Sequence, residues 1–203
     1  AVSAGLRNLG VKAGETVALM LRTEEAYFEA FFGTLIAGAV PVPLYPPFRR
    51  SEFLEYVRRQ RAILLNAGAR VLVTFAEAER FAALIRAQTP TLEIITTVER
   101  LAAERTDTVL ERSGSDDPAL IQYTSGSTGA PKGVLLSHAN ILANIRAIGE
   151  AIAIRPVDVT VSWLPLYHDM GLIGAWLGSL YFGVPVSLMS PLAFLARPAR
   201  WLW

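Results

Sequence analysis

Residues 123–133 read YTSGSTGAPKG and combine four Ser or Thr hydroxyls, three glycines and one lysine. The glycines allow backbone conformations that other residues avoid, and they let the main chain approach a ligand closely. Successive free N–H groups in such a loop form a nest for an anion, and a lysine adds a point charge that suits phosphate. The segment therefore predicts a loop that binds a polyphosphate.

This loop differs from the P-loop of nucleotide-binding proteins. In the P-loop, Ser or Thr follows the lysine and a helix begins there. Here Pro131 precedes Lys132, Gly133 follows it, and a short apolar run comes next. A P-loop phosphotransferase or ATPase is therefore disfavoured. On composition alone, a plain flexible hairpin loop explains the segment equally well.

The bulk composition argues against several other classes of protein. The formal net charge of +1 gives no argument for nucleic acid or for an acidic membrane surface. Cysteine is absent, which removes disulfides and thiolate-bound metals and fits a reducing compartment, so we expect a cytoplasmic protein. His138 and His168 are the only histidines, which argues against a multi-histidine metal site.

Short apolar runs alternate with helical patterns along the chain. Strands are predicted at residues 16–21, 40–44, 71–74, 93–97, 119–122, 134–136, 159–163 and 184–189. Helices are predicted at 24–37, 51–66, 77–87, 140–152 and 170–182, and an opening helix is closed by Gly10. This alternation indicates an α/β fold with a mostly parallel sheet flanked by helices on both faces. Ligands of such folds bind at the carboxyl ends of strands, and the glycine-rich loop follows one.

Three remaining features have structural interpretations. Residues 170–196 carry no charge, but Pro185 and Pro191 interrupt them, so a buried helix and a buried strand are predicted rather than a membrane span. Ser137 is predicted to cap a helix, which gives the adjacent His138 a structural role. Residues 105–117 are predicted to form a polar loop. The arginine-rich face of residues 51–66 is most simply a solvated helix face, and a docking role for it has no support.

The segment YTSGSTGAPKG resembles the phosphate-binding signature of the adenylate-forming superfamily. That superfamily contains acyl-CoA synthetases, luciferases and the adenylation domains of nonribosomal peptide synthetases. WLPLYHDMGLIGAW at 163–176 is similar to the family's downstream segment, which brings an aromatic or histidine side chain to the acyl site. Residues 30–47 resemble its upstream helix–strand segment. Three segments resemble the fatty acyl-AMP ligase branch more than the CoA-ligase or amino-acid branch, namely LYPP, LPLYHDMGLIG and SPLAFLARPARWL.

The resemblance implies a reaction and its participants. Residues 1–203 would form part of the large N-terminal domain of an adenylate-forming enzyme, without the family's small C-terminal lid, and would be inactive in isolation. The enzyme would activate a medium- or long-chain fatty acid with ATP and Mg²⁺ to acyl-AMP and pyrophosphate. The acyl group would pass to the phosphopantetheine of an acyl carrier protein in lipid or polyketide biosynthesis. A fatty acid–CoA ligase and a non-catalytic scaffold that keeps the fold are the alternatives.

The resemblance also assigns residues. Lys132 and His168 are expected to act in catalysis, with His168 at the junction of the fatty carboxylate and the α-phosphate. The expected nucleotide-binding residues are Thr124, Ser125, Gly126, Ser127, Thr128, Gly129, Lys132 and Gly133, and either Ser127 or Thr128 would contact Mg²⁺. The expected substrate-binding residues are Trp163, Tyr167, His168, Gly171 and Gly174. Trp163, Tyr167 and Trp176 are predicted to be wall and core, and the sequence leaves open whether Asp169 orients His168.

Overall fold

The computed structural model of the chain describes residues 1–47, 53–103, 113–124 and 131–202. The strands in these ranges are β1 (Thr16–Met20), β2 (Val40–Pro43), β3 (Val71–Thr74), β4 (Ile94–Thr97), β5 (Pro118–Thr124), β6 (Lys132–Ser137), β7 (Thr160–Ser162) and β8 (Val186–Leu188). The α-helices are α1 (Val2–Asn8), α2 (Glu25–Ile36), α3 (Phe53–Ala67), α4 (Glu79–Arg86), α5 (Val98–Ala103), α6 (His138–Ala151), α7 (Gly178–Phe182) and α8 (Pro191–Ala196). A π-helix, Met170–Leu177, leads into α7, and short 3-10 helices lie at Ala76–Ala78 and Pro198–Trp201.

The main sheet is parallel and buried on both faces. Its strand order is β2-β1-β3-β4, and every neighbouring pair is parallel. Side chains of a strand alternate between the two faces, and in β1 Val17 joins one apolar core while Ala18 joins the other. Phe31 of α2 packs into the first core and Leu64 of α3 into the second. The predicted α/β fold with helices on both faces is therefore confirmed.

Two further strand pairs lie outside this sheet. Strands β5 and β6 form an antiparallel hairpin, and β5 lies against β2 at the edge of the main sheet. Strands β7 and β8 pair in parallel. The main sheet therefore supports β5, the strand that leads into the glycine-rich loop.

Two helix ends follow the predicted local chemistry. Gly10 has φ of 79° and closes α1, and its N–H donates to the Arg7 carbonyl at 2.8 Å. Only glycine adopts the left-handed backbone conformation with almost no strain, which explains why the helix ends at this residue. At the start of α6, the Ser137 hydroxyl accepts from the Asn140 N–H, and the Asn140 side chain accepts from the Ser137 N–H. The predicted cap is confirmed, with His138 as the first residue of α6.

The charge-free segment from Met170 onward is a helix, but not the predicted α-helix throughout. Its first eight residues form the π-helix, and α7 follows after it. In a stretch where nearly every residue is apolar, hydrophobic spacing does not distinguish a 3.6-residue turn from a wider one. Among the residues that the structure describes, no helix is long and apolar enough to cross a membrane.

Two α-helices, α5 and α8, were not predicted, and most of one predicted loop is not described. Each of these helices has six residues, which is too short to give a periodic signal. Most of the polar loop predicted at residues 105–117 lies outside the described residues.

Gln60 is a buried glutamine whose substitution should stabilise the protein. Its side chain is 0% exposed on α3, and neither its Oε1 nor its Nε2 has a hydrogen-bond partner among the described residues. A buried polar group without a partner costs about 1–3 kcal/mol. Gln60→Met keeps the length of the side chain and removes both polar atoms. We expect the free energy of unfolding in urea to rise by about 1–3 kcal/mol, and a fall would contradict this account.

Candidate active site

The β5–β6 hairpin brings the two ends of the predicted phosphate loop together. Thr124, the last residue of β5, is paired with Lys132, the first residue of β6, and both are exposed. Among the described residues, no carboxylate forms an ion pair with Lys132, so its ammonium group is available to a ligand. The predicted residues between them lie outside the described residues, namely Ser125, Gly126, Ser127, Thr128 and Gly129.

Contacts behind the loop hold the hairpin in register. Gly133 faces the ring of Tyr123, and a Cβ atom there would lie 2.9 Å from the ring carbon Cζ. No larger residue fits without moving that ring, which gives Gly133 a packing role at the base of the loop. The Tyr123 hydroxyl donates to Oδ1 of Asn66 on α3 at 2.5 Å. Partial burial raises the pKa of the Tyr123 phenol, which keeps it protonated and able to donate.

A cavity of about 1100 Å³ opens beside the hairpin. One face of the hairpin supplies part of its wall, through Gln122 and Thr124 of β5 and Val134 and Leu136 of β6. The other walls come from α6, β7, the segment after β7 and the π-helix, which contribute mostly apolar side chains. The arrangement is an apolar chamber whose rim, at Thr124, is also the start of the predicted anion-binding loop.

Aromatic side chains close one side of this cavity. The ring of Trp163 lies parallel to that of Phe194, with 4.2 Å between centroids and 5° between planes. Trp201 meets Phe194 edge to face at 6.2 Å, and its Nε1 donates to the Val161 carbonyl at 2.9 Å. Trp163 is therefore a wall residue, as predicted. Trp201 also lines the cavity, and the sequence analysis did not single it out.

His168 lies on the segment between β7 and the π-helix. Its side chain is 64% exposed, and its Nδ1 lies 2.6 Å from Oδ1 of Asp169. The structure thus answers the question that the sequence left open, because the neighbouring carboxylate does contact the imidazole. Asp169 lines the cavity, whereas His168 stands beside it. The structure therefore does not place His168, a predicted substrate-binding residue, in the lining of the cavity.

Buried side chains from distant parts of the chain hold this segment. The Tyr27 hydroxyl on α2 donates to the Leu166 carbonyl at 2.7 Å. Tyr27 is fully buried, which raises its pKa and keeps the hydroxyl protonated. The Gln122 amide on β5 donates to the Tyr167 carbonyl at 3.0 Å. Sequence reasoning missed both residues, since nothing local in the sequence signals a contact across 139 or 45 positions.

The predicted substrate-binding residues divide into two groups. Gly174 lines the cavity, and a Cβ atom there would meet nothing within 4 Å. Gly171 instead packs against backbone, where a Cβ atom would lie 2.3 Å from the Pro165 carbonyl oxygen. Tyr167 is half-buried beside Tyr45, with 6.4 Å between ring centroids, and burial raises its pKa to about 12. The structure therefore does not bring Gly171 or Tyr167 to the cavity, because close packing of the segment turns them away from it.

Comparison with known proteins agrees with this geometry. The AMP-binding enzyme family matches residues 1–203. The chain belongs to that family. This confirms the resemblance drawn from the glycine-rich loop and from the segment around His168.

Individual relatives fall in the fatty-acid branch of the family. FadD21 of Mycobacterium tuberculosis, named as a fatty-acid–CoA ligase, is 38% identical over 197 residues, which are 93% of this chain and 33% of that protein. TtuA of Teredinibacter turnerae, a medium-chain-fatty-acid–[acyl-carrier-protein] ligase, is 30% identical over 228 residues, which are 93% of this chain and 35% of that protein. The chain therefore spans about a third of the length of these relatives.

Solved structures give the same answer for the fold. One from a study of fatty acyl-adenylate ligases of E. coli and L. pneumophila matches with a TM-score of 0.93 and 34% identity, over 100% of this chain and 37% of that one. The L. pneumophila enzyme in complex with acyl adenylate and pyrophosphate matches with a TM-score of 0.78 and 32% identity, over 99% and 34%. Adenylate-forming fatty acid ligases are thus the group to which the sequence and the fold both lead.

Proposed function

We propose that the chain is the acid- and phosphate-binding part of a cytoplasmic fatty acyl-AMP ligase. The whole ligase converts a medium- or long-chain fatty acid and ATP to acyl-AMP and pyrophosphate. It then transfers the acyl group to the phosphopantetheine thiol of an acyl carrier protein, in lipid or polyketide biosynthesis. The observation that carries this proposal is the mostly apolar cavity of about 1100 Å³. Thr124, the residue at which the predicted phosphate loop begins, is one of the residues that line it.

The two parts of the site suit the two substrates: the cavity suits the fatty acid, and the glycine-rich loop suits the phosphates of ATP. An alkyl chain gains free energy from apolar burial without further contacts, at about 25 cal/mol per Å² of apolar surface. A polyphosphate needs backbone N–H groups, hydroxyls and a cation, and the sequence at residues 124–133 contains the glycines, hydroxyls and lysine that would supply them. The carboxylate end of a fatty acid in the cavity would lie near the rim, where the phosphates are bound.

The chemical step requires positioning more than proton transfer. A fatty carboxylate is already ionised at neutral pH, and its oxygen attacks the α-phosphorus while the bond to the β-phosphate oxygen breaks. The barrier comes from bringing two anions together and from the charge that develops on the leaving pyrophosphate. Lys132 stabilises that charge. Nδ1 of His168 donates to Asp169, and Nε2, when it also carries a proton, donates a hydrogen bond to the carboxylate or to the α-phosphate.

The hydroxyls of the loop are of a type that binds Mg²⁺, and they would supply only one or two of its ligands. Mg²⁺ in phosphoryl-transfer sites is held chiefly by phosphate oxygens and water, with only one or two groups from the protein. The candidate ligands, Ser127 and Thr128, lie outside the described residues. When bound, the ion would neutralise phosphate charge next to Lys132.

Two alternatives remain open to experiment. A fatty acid–CoA ligase would share the first half-reaction, and the name of the relative FadD21 favours it. A non-catalytic scaffold would keep the fold and lose the chemistry. We favour the acyl-AMP ligase because both TtuA and JamA, another relative, are named as ligases that use an acyl carrier protein.

Product analysis of the whole ligase separates these functions. The protein is incubated with ATP, Mg²⁺, CoA and a series of fatty acids, and the products are identified by mass spectrometry. Persistent acyl-AMP without acyl-CoA is expected. Accumulation of acyl-CoA would show a CoA ligase instead, and neither product with any acid would indicate a scaffold.

Gly174 should influence which chain lengths are accepted. A side chain at this position points into open cavity, so Gly174→Leu shortens the chamber without a clash in the fold. We expect kcat/KM for long-chain acids to fall about 10-fold more than for medium-chain acids, because one or two methylenes that no longer fit cost about this much. Gly174→Ala serves as the small-volume control. An equal loss at every chain length would contradict a place for Gly174 on the acyl path.

A further inference from the structure

We propose that Gln122 is a positioning residue that fixes the backbone of His168 relative to the strand that carries the phosphate loop. The proposal rests on the proposed function, because it assigns Gln122 a task within the adenylation site. Gln122 lies on β5, two residues before Thr124, and its side chain is 7% exposed. It reaches across to the segment that holds His168.

The hydrogen bond of Gln122 acts on the peptide unit that joins Tyr167 to His168. Its Nε2 donates to the Tyr167 carbonyl oxygen at 3.0 Å. The N–H of the same peptide unit, which belongs to His168, donates to the Pro165 carbonyl oxygen at 3.1 Å. With its carbonyl and its N–H both held, this peptide plane has a defined orientation. The imidazole therefore extends from a fixed backbone although the ring itself is exposed.

The direction of the amide follows from its partner. A carbonyl oxygen only accepts hydrogen bonds, so Gln122 must present its NH₂ group to Tyr167. Its Oε1 then points elsewhere, is buried and has no partner among the described residues. Burial of an unpaired acceptor destabilises a fold, and an apolar residue of similar size would avoid it. Packing alone therefore does not explain a glutamine at this position, whereas the bond to the His168 peptide does.

Other contacts keep the segment in place when Gln122 is removed. The Tyr27 hydroxyl donates to the Leu166 carbonyl at 2.7 Å, and the Leu166 N–H lies 3.4 Å from the Thr23 hydroxyl oxygen. The first contact acts on the peptide unit just before the one that Gln122 holds, and the second acts on the unit before that. A Gln122 variant should therefore fold, with the change confined to the orientation of His168.

The hydrogen bond of Gln122 connects the strand that leads into the phosphate loop with the segment that holds His168. Gln122 and Thr124 lie on the same face of β5, so a rigid side chain at Gln122 sets the spacing between the loop and His168. Attack on the α-phosphorus needs the reacting atoms within a narrow range of distance and angle, and a misplacement of about 1 Å costs up to 100-fold in rate. Loss of the link should therefore lower kcat rather than weaken the binding of ATP.

The test compares Gln122→Met with Gln60→Met in the whole ligase. Both substitutions replace a buried glutamine by methionine, but Gln60 has no hydrogen-bond partner among the described residues and does not line the cavity. We expect amide hydrogen exchange in peptides covering residues 164–172 to speed up in Q122M and not in Q60M. In fatty-acid-dependent exchange of ATP with pyrophosphate, Q122M should lower kcat about 10-fold while KM for ATP changes less than about 2-fold.

A double variant distinguishes positioning from a general loss of structure. If Gln122 acts through His168, Q122M should cause little further loss of kcat in a His168→Ala background. Additive losses, unchanged hydrogen exchange at residues 164–172, or faster exchange spread through β1 and α2 would each overturn the proposal. If the wild-type ligase shows no pyrophosphate exchange with any fatty acid, the proposed function fails. The hydrogen-exchange comparison then decides alone whether Gln122 holds the His168 peptide.

Discussion

Lys132→Ala is expected to lower the rate of acyl-AMP formation about 100-fold in the whole ligase. Lys132 opens β6 opposite Thr124, is exposed, and has no ion-pair partner among the described residues. In the proposed function, its ammonium group would stabilise the charge that develops on the leaving pyrophosphate. Removing one preorganised donor of this kind from a reaction site typically costs 10²–10³ in kcat.

The sequence offers a matched control for this variant. The chain has two lysines, and the other, Lys12, is exposed in the turn before β1. Lys12→Ala removes the same charge and should leave adenylation unchanged. Lys132→Arg keeps the charge with a different shape and should recover part of the rate. If K132A formed acyl-AMP at the wild-type rate while its unfolding transition was unchanged, the assignment of the loop would be wrong.

Trp176→Ala is expected to lower the free energy of unfolding by about 3–5 kcal/mol. Trp176 is 6% exposed and lies on the π-helix. Its indole meets four aromatic rings of α2 edge to face, with centroid distances of 4.7–6.1 Å, namely those of Tyr27, Phe28, Phe31 and Phe32. Deleting the indole leaves a large cavity and removes several favourable ring contacts.

Two other variants show whether burial is the cause. Trp176→Phe keeps an aromatic ring in the cluster and should cost less than half as much. Trp201→Ala deletes an indole that is 45% exposed and should also cost less. Urea unfolding of the three variants, compared by midpoint and slope, gives the ranking. A loss in W176A no larger than that in W201A would contradict a structural role for the cluster.

Local sequence patterns were sufficient for much of this fold. The runs that became β1 to β4 are short and continuously apolar, which is typical of strands buried on both faces. Gly10 and Ser137 mark helix ends because a left-handed residue and a side-chain cap each depend on only a few neighbouring residues. The two strands that flank the glycine-rich loop were also predicted, and the structure pairs them as an antiparallel hairpin. The π-helix was missed because its sequence is apolar on all sides.

The sequence by itself therefore determined the family and the alternation of strands and helices, and it predicted the residues of the phosphate loop. Tertiary structure alone decided which predicted residues share a site. It turned Gly174 toward the cavity and Gly171 against the Pro165 carbonyl, although both have the same side chain and lie three positions apart. It also brought Tyr27 and Gln122 to the backbone beside His168 from two distant elements. Such contacts depend on how the strands are ordered and how the helices pack, and no local pattern in the chain encodes either.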